Sequence, residues 1–164
     1  MAQVILDHDE LARKIEELKK QGKKVIFANG CFDLLHVGHV RYLRGAKALG
    51  DVLVLAINSD ASIRRLKGSE RPLLPLEDRL GILGVFEMID FVTPFEEDTV
   101  SPLLLKLKPN VQAKGTDYTP DTIPEKDTVA SFGGTVAVVG DPKDHASKNL
   151  IQEILRKYGS TITA

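Results

Sequence analysis

His36 and His39 stand three residues apart, with Gly38 between them, at the head of a helical pattern that runs to Leu49. Residues at that spacing share one face of a helix, so both imidazoles point the same way. The unsatisfied N–H groups and the dipole of a helix start favour an anion. Gly38 carries no side chain, which lets a phosphate come close to the backbone. The chemistry offered is hydrogen bonding to phosphate oxygens. The elements that must position it lie just upstream. Val25-Ile26-Phe27-Ala28 reads as a buried strand, and Asn29-Gly30 breaks regular structure after it. A strand, a glycine turn and paired histidines at a helix start make a phosphate site.

The rest of the chain alternates strand and helix. An amphipathic helix over 9–20 carries Leu11, Ile15 and Leu18 on one stripe, and Gly22 follows its end. Strands are expected at 24–28, 52–58, 91–93, 111–114 and 135–139. The run 52–58 is almost continuously apolar, as in parallel sheets covered on both faces. Helices are expected from the histidines to Leu49, at 61–66, at 76–86 behind Pro75, at 102–107, near 126–132 and at 147–158. Residues 67–74 read as a mobile loop and 115–124 as irregular. Such alternation calls for an α/β fold, a doubly wound parallel sheet whose ligands sit beyond the carboxyl ends of the strands. A single domain is expected, with an N-terminal helix in 1–21 and a catalytic core in 22–157.

The chain has 164 residues, 22 basic and 23 acidic, for a net charge of −1. That balance points to no nucleic-acid or membrane partner. One cysteine, Cys31, allows no internal disulfide and fits a reducing cytoplasm. Asp7, His8, Asp9 and Glu10 interrupt the early apolar run, so no signal peptide is read. No stretch reaches the ~20 apolar residues of a membrane span. A soluble cytoplasmic protein is expected. There is no G-x-x-x-x-G-K-[ST] and no G-x-G-x-x-G after the first strand, which sets aside P-loop and dinucleotide-binding domains. His8, His36, His39 and His145 form no convincing zinc set with the carboxylates, so no metal ligand is assigned.

The tetrapeptide His36-Val37-Gly38-His39 with its preceding strand resembles the HxGH motif of cytidylyltransferase-type nucleotidyltransferases. Ala28-Asn29-Gly30-Cys31-Phe32-Asp33, Asn58-Ser59-Asp60, Arg64-Arg65-Leu66-Lys67-Gly68, Arg71-Pro72, Glu77-Asp78-Arg79 and Lys114-Gly115-Thr116-Asp117-Tyr118 follow in the order of one branch. That branch is the adenylyltransferase of ADP-heptose synthesis, and the likeness covers about residues 22–157. It implies a Rossmann-like nucleotidyltransferase fold and transfer of AMP from ATP to a heptose 1-phosphate. The products would be ADP-heptose, a precursor of lipopolysaccharide core, and pyrophosphate. It further implies Mg²⁺ bridging the triphosphate, and a homodimer.

An in-line transfer of this kind depends on positioning and charge neutralisation rather than on a covalent nucleophile. The resemblance makes His36 and His39 the donors that stabilise the transition state, and Lys67 a loop cation for the phosphates. It implies nucleotide contacts at Asn29, Gly30, Cys31, Phe32, Asp33, Gly38, Lys114, Asp117 and Ser147, and substrate contacts at Asn58, Asp60 and Arg71. Some of these residues have plainer readings. Cys31 reads as a small buried thiol, Phe32 equally as core, and Asp33 as an orienter of the histidines or of a loop amide. Arg64 and Arg65 read as surface charge. Arg79 reads as structural, paired with Glu77, Asp78 or Asp60. Lys114, a lysine buried at a strand end, needs an anion, and either a triphosphate or Asp117 would serve.

One motif departs from the family. Relatives carry a Ser-Thr-Thr triplet, often after glycine, at the start of the last helix; here the chain reads Lys143-Asp144-His145-Ala146-Ser147-Lys148-Asn149. Ser147 alone keeps a hydroxyl and is expected as the helix N-cap, with His145 or Lys148 replacing lost contacts. Two other functions stay open: a CTP-dependent enzyme acting on glycerol 3-phosphate or a similar alcohol phosphate, and a non-catalytic nucleotide-binding regulatory module.

Overall fold

A computed structural model describes residues 1–142 and 145–159. The elements are β1 (Gln3–Val4), α1 (His8–Lys20), β2 (Val25–Gly30), α2 (Val37–Lys47), β3 (Val52–Asn58), α3 (Asp60–Lys67), α4 (Leu76–Gly84), β4 (Phe91–Phe95), α5 (Ser101–Leu107), β5 (Val111–Lys114), α6 (Lys126–Ser131), β6 (Thr135–Val138) and α7 (Ser147–Tyr158). The six strands form one sheet in the order β1-β4-β3-β2-β5-β6, every neighbouring pair parallel. From β2 the chain steps outward to β3 and β4, then crosses back to β5 and β6. The strand order therefore reverses between β2 and β5, and a doubly wound sheet opens its ligand crevice at that reversal.

Alternation along the strands divides the core into two layers. Val25 and Phe27 of β2, with Val52, Val54 and Ala56 of β3, face Leu11 and Ile15 of α1 and Leu103, Leu104 and Leu107 of α5. Ile26 and Ala28, with Leu53, Leu55 and Ile57, face Leu43 and Ala46 of α2 and Leu83 of α4. All seven residues of β3 are buried, which explains the apolar run from Val52 to Ile57.

Two departures from the expected elements have physical reasons. The two-residue strand β1 has exposed side chains and no periodic pattern of its own. Its pairing with β4, Gln3 with Phe91 and Val4 with Val92, is what makes it a strand. The strand expected to stop at Thr93 continues through Pro94 to Phe95. Among the described residues, β4 beyond Val92 pairs with β3 alone, and a proline is tolerated on an edge because no ladder donor is needed there.

Candidate functional site

A cavity of about 590 Å³ lies over the carboxyl ends of β2 and β5. Its first wall is the β2–α2 connection. His36 is the N-cap of α2 with extended backbone (φ −144°, ψ 171°), and His39 is the third residue of the helix. Their rings lie 3.9 Å apart between centroids, tilted by 33° to one another. The His36 backbone N–H donates to His39 Nδ1 at 3.3 Å, so a neutral His39 ring carries its proton on Nε2. A Cβ at Gly38 would stand 2.9 Å from two atoms of the His36 ring. The glycine therefore makes room for the His36 ring.

Phe32 backs this wall. It is buried yet lines the cavity, with its ring 5.0 Å from that of His39 and 6.3 Å from that of Tyr42. The core reading of Phe32 holds, and the same side chain borders the cavity. Its φ of 51° is left-handed, unusual for a bulky residue. Cys31 is half-exposed at the cavity rather than buried, with its thiol 3.7 Å from Asn58 Oδ1.

The floor is polar. Lys114, at the end of β5, is 7 % exposed, and its Nζ lies 3.4 Å from Glu125 Oε2 and 3.5 Å from Asn29 Oδ1. The carboxylate against it is Glu125, a residue the sequence reading did not single out, whereas Asp117 lines the cavity. Tyr42 also escaped the sequence reading; its hydroxyl donates to the Ala113 carbonyl at 2.9 Å. Burial pushes its phenol far above the ordinary value, so it stays a donor. Helical spacing from His39 to Tyr42 was the one available signal.

Of the other expected site residues, Asn29, Gly30, Gly38, Lys67, Arg71, Asp117 and Ser147 all line the cavity. Asp33, Asn58 and Asp60 do not. Asp33 is buried and accepts from Arg71 Nε (2.7 Å) and from the backbone N–H groups of Leu73 and Leu74. It therefore orients a loop amide rather than the histidines. Burial acts to raise its pKa, but the two N–H groups and Arg71 outweigh that and hold the carboxyl below its ordinary range. The segment 71–74, expected as mobile, is thus tied to the β2–α2 connection. Asn58 Nδ2 donates to Ser62 Oγ, and Asp60 pairs with the buried Arg79 at 2.7 Å. Arg65 turns outward to Asp98.

The far wall is the start of α7. Ala146, not Ser147, is the N-cap, and it makes no side-chain cap hydrogen bond. Ser147 is already helical, and its hydroxyl donates to the Leu34 carbonyl at 3.0 Å, tying α7 to the β2–α2 connection. Its proton is thereby committed, leaving backbone N–H groups to meet an anion. His145 and Lys148 line the cavity as expected, while Lys143 and Asp144 lie outside the described residues. Arg41 and Thr116 join this wall to the rest: Arg41 pairs with Asp141 at 3.1 Å, and Thr116 Oγ1 donates to the Asp141 carbonyl at 2.7 Å.

Among the described residues no group of three His, Cys, Asp or Glu side chains is placed to hold a metal ion, and no helix is long and apolar enough to cross a membrane. Two helix starts, a histidine pair and a lysine around one cavity can bind a chain of phosphates.

A profile described as cytidylyltransferase-like matches residues 27–159. The bifunctional protein HldE of Geobacter metallireducens is 54% identical over 151 residues, 92% of this chain and 31% of that protein. The bifunctional protein HldE of Yersinia enterocolitica is 43% identical over 94% of this chain and 33% of that protein. The chain thus spans about a third of the length of these curated relatives. Among solved structures, a lipopolysaccharide core biosynthesis protein from Thermoplasma volcanium superposes with a TM-score of 0.61 at 27% identity, covering 71% of this chain and 94% of that one. A pantoate-beta-alanine ligase from Francisella tularensis superposes with a TM-score of 0.63 at 16% identity, over all of this chain and 80% of that one. The second likeness is one of fold.

Proposed function

Because the chain belongs to the cytidylyltransferase-like family, we propose that it transfers AMP from ATP to a heptose 1-phosphate. ADP-heptose and pyrophosphate are the products. The observation that carries this reading is the pair of adjacent imidazoles at the α2 start, sharing one cavity with the α7 start and Lys114. The likeness to HldE proteins supports the choice of acceptor.

The reaction forms a bond from a sugar-phosphate oxygen to the α-phosphorus while the bond from that phosphorus to the bridging oxygen of pyrophosphate breaks. The attacking oxygen is already anionic, so no general base is needed. What must be met is the negative charge that spreads over the α-phosphoryl oxygens and the leaving group. His39, with its neutral-state proton on Nε2, and His36 beside it serve as donors to those oxygens. The backbone N–H groups at the starts of α2 and α7 hold the remaining phosphates. Lys67, at the end of α3, and Arg71 reach the cavity from the acceptor side in this reading. Mg²⁺ enters with the triphosphate, as part of the substrate, and neutralises its charge.

The test is pyrophosphate release with ATP, CTP, GTP or UTP against heptose 1-phosphate or glycerol 3-phosphate, with Mg²⁺ present. Turnover with ATP and the heptose is expected. Turnover with CTP and glycerol 3-phosphate would replace the substrates, and nucleotide binding without any turnover would replace the enzyme with a binding module.

A further inference from the structure

We propose that Glu125 sets the anion affinity of the cavity by holding Lys114 as one half of a buried ion pair. The inference rests on the phosphate-binding reading above. Glu125 precedes α6 and is 7 % exposed, as is Lys114. Gln112, two residues before Lys114 on β5, is fully buried. Its Nε2 donates to Glu125 Oε2 and to Asn29 Oδ1, both at 3.3 Å. Asn29 Oδ1 also accepts from Lys114 Nζ at 3.5 Å. Side chains from β2, β5 and the α6 start thus fix Glu125 against the ammonium at 3.4 Å.

A buried ammonium without a counter-charge is costly, and one beside a cavity would hold any anion that entered. With Glu125 in place, the pair presents a nearly cancelled charge. That matters for turnover, because attraction acting equally on substrate, transition state and product lowers KM without raising kcat, and it slows release of an anionic product. Glu125 lies outside the cavity wall. It is a positioning residue, acting through Lys114.

The experiment measures pyrophosphate binding by calorimetry to the unaltered protein, to Glu125→Gln, to Lys114→Met and to the double variant. Glu125→Gln keeps the shape and removes the charge, so binding should tighten about tenfold, with a steeper dependence on salt. In the Lys114→Met background the same change should have no effect. In turnover, Glu125→Gln should lower KM for ATP and kcat together while raising kcat/KM by up to about tenfold, a split that a purely structural residue does not produce. If Glu125→Gln fails to fold, Glu125→Asp, which withdraws the carboxylate by one methylene, should tighten binding by about threefold. Equal or weaker pyrophosphate binding in the folded Glu125 variant overturns the inference alone. No binding to the unaltered protein overturns the phosphate-site reading together with it.

Discussion

The Arg79 guanidinium lies 2.7 Å from the Asp60 carboxylate, fully buried while its partner is partly open to solvent. The same guanidinium donates to the carbonyls of Cys31 (2.7 Å), Asn58 (2.8 Å) and Leu74 (3.1 Å). One side chain on α4 therefore ties together the β2–α2 connection, the end of β3, the start of α3 and the loop before α4. All but the α3 start are acceptor carbonyls that no apolar residue could satisfy. Arg79→Met should cost about 3 kcal/mol or more, because it leaves a carboxylate and three carbonyls without their donor. Urea unfolding would read the loss; a change under about 1 kcal/mol would remove Arg79 from this role.

His39→Ala should reduce turnover by about 10²-fold or more, the usual effect of losing one transition-state donor. The ring is half-buried at the cavity and belongs to neither core cluster. The thermal midpoint should therefore stay within a few degrees. A variant that keeps full activity, or one that is unfolded, would count against the role given to His39.

Gly38→Ala separates stability from activity. Alanine favours a helix over glycine by about 0.5–1 kcal/mol, yet its Cβ would meet the His36 ring at 2.9 Å. Unchanged or raised thermal stability with at least about tenfold lower kcat is expected, since small misplacements of reacting groups cost that much. Retained kcat would show that the His36 ring can shift without consequence.

Asp33 predicts an acid-sensitive loop. Its folded pKa lies below the ordinary 3.8, so its contribution is complete above 3.8 and fades as pH falls from there through the lower folded value. The amides of Leu73 and Leu74, which donate to it, should lose hydrogen-exchange protection in that window, ahead of the β3 amides. Asp33→Asn should remove the pH dependence. Simultaneous loss of protection in loop and core would argue against a local clamp.

Ser147→Ala should loosen α7 through the lost bond to the Leu34 carbonyl, at a cost of about 1 kcal/mol. Affinity for ATP should fall only modestly, because the hydroxyl proton is already committed to Leu34. A loss of affinity above about tenfold would restore the hydroxyl as a direct phosphate ligand.

Much of the site was legible because local pattern determines it. An apolar strand, a glycine turn and histidines three apart dictate their own geometry, and β3, β5 and α7 have the bounds their sequence patterns predict. Residues whose position depends on distant partners were not legible in the same way. Asn58 and Asp60 looked like substrate contacts beside the site, but Ser62 and Arg79 take up their side chains. Ser147 looked like an N-cap until Leu34, 113 residues away, supplied an acceptor for its hydroxyl.

The sequence by itself determined the alternating elements, the parallel sheet and the helix start that carries His36 and His39, since these follow from periodicity, glycine placement and spacing within a few residues. Only the tertiary structure decided which charges oppose one another. Glu125 against Lys114, Asp33 against Arg71 and Asp60 against Arg79 are 11, 38 and 19 residues apart. A buried charge takes the partner that the fold brings near, and no local pattern records which partner that will be.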